Sequence, residues 1–99
     1  PGADRPYRAQ AYGLLGAAYE NIGRPREAAE SYEKASEYAQ LPFLEAQYLS
    51  DAGRAWVAAG DTAKAVASYR KIVAELQETG TVTEAKVRLG ELTRGSGAL

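Results

Sequence analysis

An all-α chain of two helical hairpins followed by a single closing helix is the fold that this sequence predicts. Three observations lead to it. At a fixed offset of 37 residues Gly16 falls on Gly53 and then on Gly90, and the same shift lays Tyr19 on Trp56, Gly23 on Gly60, Ala28 on Ala65, Tyr32 on Tyr69 and Ala35 on Ile72. Recurrence of large, small and turn-forming residues in one order marks stacked copies of a supersecondary unit. Composition is the second observation, because alanine, leucine, glutamate, lysine, arginine and glutamine dominate, and these favour helix over strand. Punctuation is the third: Gly23-Arg24-Pro25, Leu41-Pro42, Gly60-Asp61 and Gly80 divide the chain at helix-length intervals.

Taken in order, Pro1 to Asp4 reads as a tail, and Asp4 is placed to cap a first helix over about 5–22 with Pro6 in its opening turn. Ala11, Leu15, Ala18 and Ile22 form one apolar line of this helix, and Tyr12, Gly16 and Tyr19 a neighbouring one, so two packing faces are predicted. Gly16 in a helix interior costs about 1 kcal/mol relative to alanine, which implies close approach of another helix backbone. The second helix turns Ala28, Ala29, Tyr32, Ala35 and Ala39 inward and Glu27, Glu30, Glu33, Lys34 and Glu37 outward, with Glu30–Lys34 and Lys34–Glu37 pairs on the solvated face. From Pro42 to about Ala59 a third helix repeats both apolar lines, as Tyr48, Ala52, Ala55, Ala59 and as Leu49, Gly53, Trp56. Asp61 caps a fourth helix, expected to be the most hydrophobic, with Ala65, Val66, Tyr69, Ile72, Val73 and Leu76 buried. Thr81 and Glu84 have capping-box spacing for a fifth helix that reaches about Thr93. Its line of Ala85, Leu89 and Leu92 has no following helix to complete a third hairpin, and the chain after Arg94 reads as a second tail.

Tyr12, Leu15, Gly16, Tyr19, Gly23, Ala28, Tyr32 and Ala35, then Leu49, Ala52, Gly53, Trp56, Gly60, Ala65, Tyr69 and Ile72, then Leu89 and Gly90, resemble the motif of the tetratricopeptide repeat family. The family's period is 34, and the longer one here places extra residues between Tyr38 and Ala46 and between Gln77 and Thr83. The resemblance implies a right-handed solenoid occupying residues 5–93 as one domain: repeat 1 over about 9–40, repeat 2 over about 46–79, and a terminal helix over 82–93, with tails at 1–4 and 94–99. Thr83 to Leu92 is similar to the terminal helix of bacterial repeat modules from cell-envelope and secretion-associated proteins.

The family resemblance also implies a concave face lined by the first helix of each hairpin, where a peptide or protein partner binds. Carried over position by position, that face comprises Gln10, Gly13, Ala17, Glu20 and Asn21, then Gln47, Ser50, Arg54 and Val57, then Val87. Tyr12, Gly16, Tyr19, Ala28, Tyr32, Gly53, Trp56, Ala65, Tyr69 and Leu89 are assigned to packing. The basic cluster with which one chaperone-binding subclass grips a terminal carboxylate is absent apart from Arg54. An alternative role is self-assembly or intramolecular support through an exposed solenoid end, with Leu89 and Leu92 as the apolar contact.

The chemistry of the residue set narrows the other classes. With no cysteine and no histidine, thiol and imidazole nucleophiles and nitrogen or sulfur metal sites are closed, and no cofactor is expected. A carboxylate-dependent hydrolase is left as a remote alternative, requiring two acidic groups in one enclosed pocket. Twelve basic residues against thirteen acidic ones, interspersed, build no field for nucleic acid. Membrane contact is not expected either, since no apolar run approaches the ~20 residues of a spanning helix. Of the seven tyrosines, Tyr12, Tyr19, Tyr32 and Tyr69 are read with Trp56 as core residues, and Tyr7, Tyr38 and Tyr48 are left to an interface. The opening Pro1-Gly2 reads as the start of an excised domain, any leader or anchor lying outside it.

Overall fold

The structure, a computed structural model, describes residues 4–94 as five helices, so the expectations for residues 1–3 and 95–99 lie outside the described residues. They are α1 (Arg5–Asn21), α2 (Pro25–Tyr38), α3 (Pro42–Ala58), α4 (Thr62–Glu75) and α5 (Thr81–Thr93). Each helix packs on the next in sequence, and α3 also meets α5. Two layers result, with α1, α3 and α5 in one and α2 and α4 in the other, and the Cα extents of 44 × 32 × 17 Å match a slab two helices thick. None of the helices is long and apolar enough to cross a membrane.

The turns between paired helices follow from glycine and proline. Gly23 and Gly60 adopt φ of +75° and +80°, a left-handed conformation open to glycine at little cost. Pro25 and Pro42 then open α2 and α3, where a missing N–H costs nothing. Asp61 caps α4 by accepting from the Lys64 amide at 3.1 Å. The other two predicted caps do not form. Asp4 makes no side-chain cap bond, and Thr81 lies inside α5, one residue after the cap position taken by Gly80. Helix α4 ends at Glu75, and the link to α5 is held instead by Thr79, whose hydroxyl donates to the Leu76 carbonyl at 2.7 Å.

Two apolar clusters make the core. Ala28, Ala29, Tyr32, Ala52, Ala55, Trp56 and Ala65 join α2, α3 and α4, with Tyr19 packed against them. Ala46, Leu49, Tyr69, Ile72, Leu76, Ala85 and Leu89 join α3, α4 and α5. The most deeply seated helix is α3, because it packs on α2, α4 and α5; it buries seven residues against four for α4, the helix expected to be the most hydrophobic. Trp56 is enclosed by this arrangement, its indole N–H donating to Glu33 at 2.9 Å and the side chains of Lys64 and Arg26 lying over its ring. Glu33 is therefore a partner of the core and not one more solvated carboxylate. The predicted Glu30–Lys34 and Lys34–Glu37 pairs are not among the ion pairs of the described residues; Arg24–Glu27 and Arg26–Asp61 are.

The first apolar line of α1 is the main correction to the sequence reading. Ala52 and Ala55 in α3 and Ala85 and Leu89 in α5 are buried against the preceding hairpin, whereas the equivalent Ala11, Leu15, Ala18 and Ile22 have no earlier helix among the described residues and lie exposed. The second line packs as expected. Tyr12 stacks on Tyr38 with ring centroids 5.8 Å apart, and Gly16 is buried under Tyr32. The reason for glycine at 16 and 53 is a ring and not a backbone: a Cβ would stand 2.7 Å from the Tyr32 ring in the first case and 2.6 Å from the Tyr69 ring in the second. Gly90 meets nothing within 4 Å.

This contrast sets a test. Gly16→Ala and Gly53→Ala are each expected to destabilise the chain by about 1–3 kcal/mol through overpacking, while Gly90→Ala is expected to stabilise it by up to about 1 kcal/mol through helix propensity. Urea unfolding of the three variants checks both signs.

Candidate partner-binding face

The inner layer of α1, α3 and α5 presents one connected set of polar side chains. Arg54, on the face of α3, donates to Asp51 at 2.9 Å and to both carboxylate oxygens of Glu20 on α1 at 3.1 Å. Glu20 also accepts from the Tyr32 phenol at 2.6 Å, so a chain of tyrosine, carboxylate and guanidinium runs from α2 through α1 to α3. Helical spacing provides the Asp51–Arg54 contact, three residues apart on one face. Next along the layer, Ser50 donates to Glu84 at 3.3 Å, and Arg88 lies 2.6 Å from Glu91 and 4.0 Å from Glu84. Between α3 and α5 these groups border a cavity of about 310 Å³ that Tyr69, Val57 and Leu92 also line.

Proton affinities follow from these contacts. Burial, and then the hydrogen bond to Glu20, raise the pKa of Tyr32 well above the ordinary tyrosine value. Tyr69 is also raised, by burial and by the nearby charge of Glu84. For Arg54 burial acts downward, but the hydrogen bonds to Asp51 and Glu20 outweigh it and hold the guanidinium charged.

The residues predicted to line the face separate into groups. Ser50, Arg54 and Val57 meet at the α3–α5 cavity, and Glu20 reaches them through Arg54. Val57 and Val87 are about half exposed, at 47% and 51%. Ala17 and Asn21 are exposed, and Gln47 is exposed with its amide donating to Asp51 at 3.2 Å. Gln10 lies elsewhere, in a notch of α1 with Leu41, Leu44 and Tyr48. Gly13 is covered by the Tyr48 ring, 2.6 Å from where a Cβ would be, and Ser50 is buried, so neither is open surface. Of the residues assigned to packing, Ala28, Tyr32, Gly53, Trp56, Ala65, Tyr69, Leu89 and Gly16 are buried, while Tyr12 and Tyr19 are half-buried. Leu89 is buried and Leu92 half-buried in the second cluster; among the described residues the exposed apolar line is that of Leu15 and Ile22.

Glu84, Arg88, Glu91 and the Tyr69 phenol are the residues of this face that the sequence reading missed. A signal for them exists in the chain: Glu20, Arg54 and Arg88 succeed one another at 34 residues, as do Ser50 and Glu84, although the structural repeat is 37. Side chains on neighbouring inner helices thus meet about one helical turn out of register with the repeat.

Residues 9–40 match the family model described as tetratricopeptide repeat. This segment is a tetratricopeptide repeat. Repeats of this family generally mediate protein–protein interactions, and the five helices of the described residues have an all-α architecture consistent with a tetratricopeptide-like helical repeat. Neither the curated proteins nor the solved structures give a significant match.

The shifted tyrosine yields a pH test. The folded state holds the Tyr32 proton more tightly than the unfolded chain, so its contribution is complete below pH ~10 and is lost as pH rises through the folded-state value. Unfolding free energy measured in urea is expected to fall above pH ~10, and to fall less steeply in Tyr32→Phe.

Proposed function

We propose that the chain is a noncatalytic interaction module, a single unit over residues 5–93, that presents the inner face of α1, α3 and α5 as a concave groove to a peptide or protein partner. The observation that carries this reading is the coincidence, on one face, of half-exposed Val57 and Val87 with a charged network already fixed by internal bonds. Apolar surface beside preorganised polar groups is what a partner needs, because little remains to be ordered on binding. Glu84 and Glu91 border the same cavity, but their side chains are 55% and 51% exposed and both approach Arg88, an arrangement of a solvated ion-pair cluster more than of an enclosed acid–base pair.

One observation favours a second reading, end-on association. Leu15 on α1 and Ile22 just after it are 42% and 66% exposed, yet Ala52 and Leu89, which correspond to Leu15 in α3 and α5, are buried. A further helical surface would cover this stripe as α2 covers α3.

Two measurements separate the readings. Displayed-peptide selection on the intact chain is expected to return binders whose affinity drops about tenfold or more with Val57→Arg and with Val87→Arg, and changes little with Lys71→Ala on the outer layer. Unaltered affinity in both valine variants would remove the groove from the mechanism. Sedimentation over a concentration series is expected to show a monomer if the groove is the working surface; association abolished by Leu15→Glu or Ile22→Glu would favour the end-on reading.

A further inference from the structure

We propose that the cavity between α3 and α5 receives a lysine side chain of the partner, whose ammonium meets the oxygens of Tyr69, Ser50 and Glu84. This rests on the groove reading and adds the chemistry of what enters it. The starting point is Tyr69, 3% exposed, whose ring lines the cavity and whose phenol makes no hydrogen bond among the described residues. In the first hairpin the equivalent Tyr32 donates to Glu20. In the second hairpin the position of Glu20 is taken by Val57, so the phenol is kept and its partner is gone. Among the described residues no buried side-chain nitrogen or oxygen lacks a partner, so this phenol oxygen, which has none, is reached by solvent at the cavity and is free for a group from outside.

Charge decides which group. Glu20, Asp51, Glu84 and Glu91 face Arg54 and Arg88 across this layer, an excess of two negative charges. Both guanidiniums already hold carboxylates, Arg54 at 2.9 and 3.1 Å and Arg88 at 2.6 Å. An entering anion would compete with these bonds and meet four carboxylates; an entering cation would meet acceptors. Ser50 spends its proton on Glu84 and retains lone pairs, and the Tyr69 oxygen, neutral because burial and Glu84 hold its proton, retains its own. An ammonium with three donors suits three such acceptors better than the planar fork of arginine does. Val57 and Leu92 are the aliphatic residues of the lining and would cover the methylenes, and about 310 Å³ is at the low end of small-molecule sites, room for one long side chain.

The test uses the intact chain and the probe acetyl-Leu-Lys-Leu-amide, against its ε-N-acetyl-lysine and glutamate counterparts, followed by amide and tyrosine-ring NMR shifts at low salt. Saturable shifts at Ser50, Tyr69 and Glu84 are expected with the lysine probe, at least tenfold weaker with the acetylated one. Glu84→Gln and Tyr69→Phe are each expected to weaken the lysine probe severalfold. Tyr69→Phe should do so without lowering the unfolding midpoint, since its hydroxyl serves no internal bond; Tyr32→Phe, which does lose one, should lower it. Absence of pocket shifts, equal response to the acetylated probe, or preference for glutamate would each overturn the lysine assignment. Those outcomes leave the groove reading to its own peptide selection, in which binders lacking any basic residue yet sensitive to Val57→Arg would show that the groove works without this pocket.

Discussion

The contact of a tyrosine ring with a glycine on the facing helix governs both the packing and the polar inner face. Tyr32 on Gly16 and Tyr69 on Gly53 bring paired helices closer than any side chain at the glycine position would permit. A ring seated in that gap has one direction left for its hydroxyl, toward the inner layer. One hairpin uses that hydroxyl internally, on Glu20, and the other delivers it to a cavity. Packing therefore determines where a polar group is offered, and a single change of carboxylate to valine on the neighbouring helix determines whether it is already taken.

Two periodicities coexist in the chain, and they carry different information. The 37-residue period relates equivalent positions, such as Gly16 and Gly53, and it specifies the core. The 34-residue spacing relates residues that touch across the inner layer, Glu20 with Arg54 and Ser50 with Glu84, and it specifies the polar face. The difference of three residues is close to one helical turn, so side chains that meet are offset by a turn from those that correspond. At the corresponding positions the charges even reverse: Asp51 and Arg54 become Arg88 and Glu91, and each pair still closes on itself.

Helix number, order and breaks were legible because they depend on local signals: Gly23 and Gly60 for left-handed turns, Pro25 and Pro42 for helix starts, Asp61 for a cap. The aromatic and small core positions were legible through repetition. Exposure of Leu15 and Ile22 was not, because an apolar line declares only that it can be buried, and whether another helix lies beside it is a property of the assembly. Arg54, Ser50 and Val57 were expected on the face and line the α3–α5 cavity, whereas Glu84, Arg88 and Glu91, which line it too, were not expected there because alignment by equivalence conceals contacts that run one turn out of step. Glu33 was misread for a similar reason: its helix position marks it as solvated, and only the indole of Trp56 on another helix reveals the bond it makes.

The ion pairs of the inner face add little to stability. Arg54 is about half exposed, and such pairs contribute roughly 0.2–1 kcal/mol each. Their larger effect is geometric, because a guanidinium held by Glu20 and Asp51 together has few orientations left and keeps both carboxylates fixed in turn. A partner meeting this face gains little from groups that already satisfy one another, and would lose by separating them. In the proposed groove selectivity would then fall to the groups left without a partner, and in a surface where charges are cancelled locally one such hydroxyl would weigh heavily. Under the proposed reading Arg54 would act as a positioning residue, and the discriminating contact would fall in the second hairpin, where Val57 stands at the position that Glu20 holds in the first.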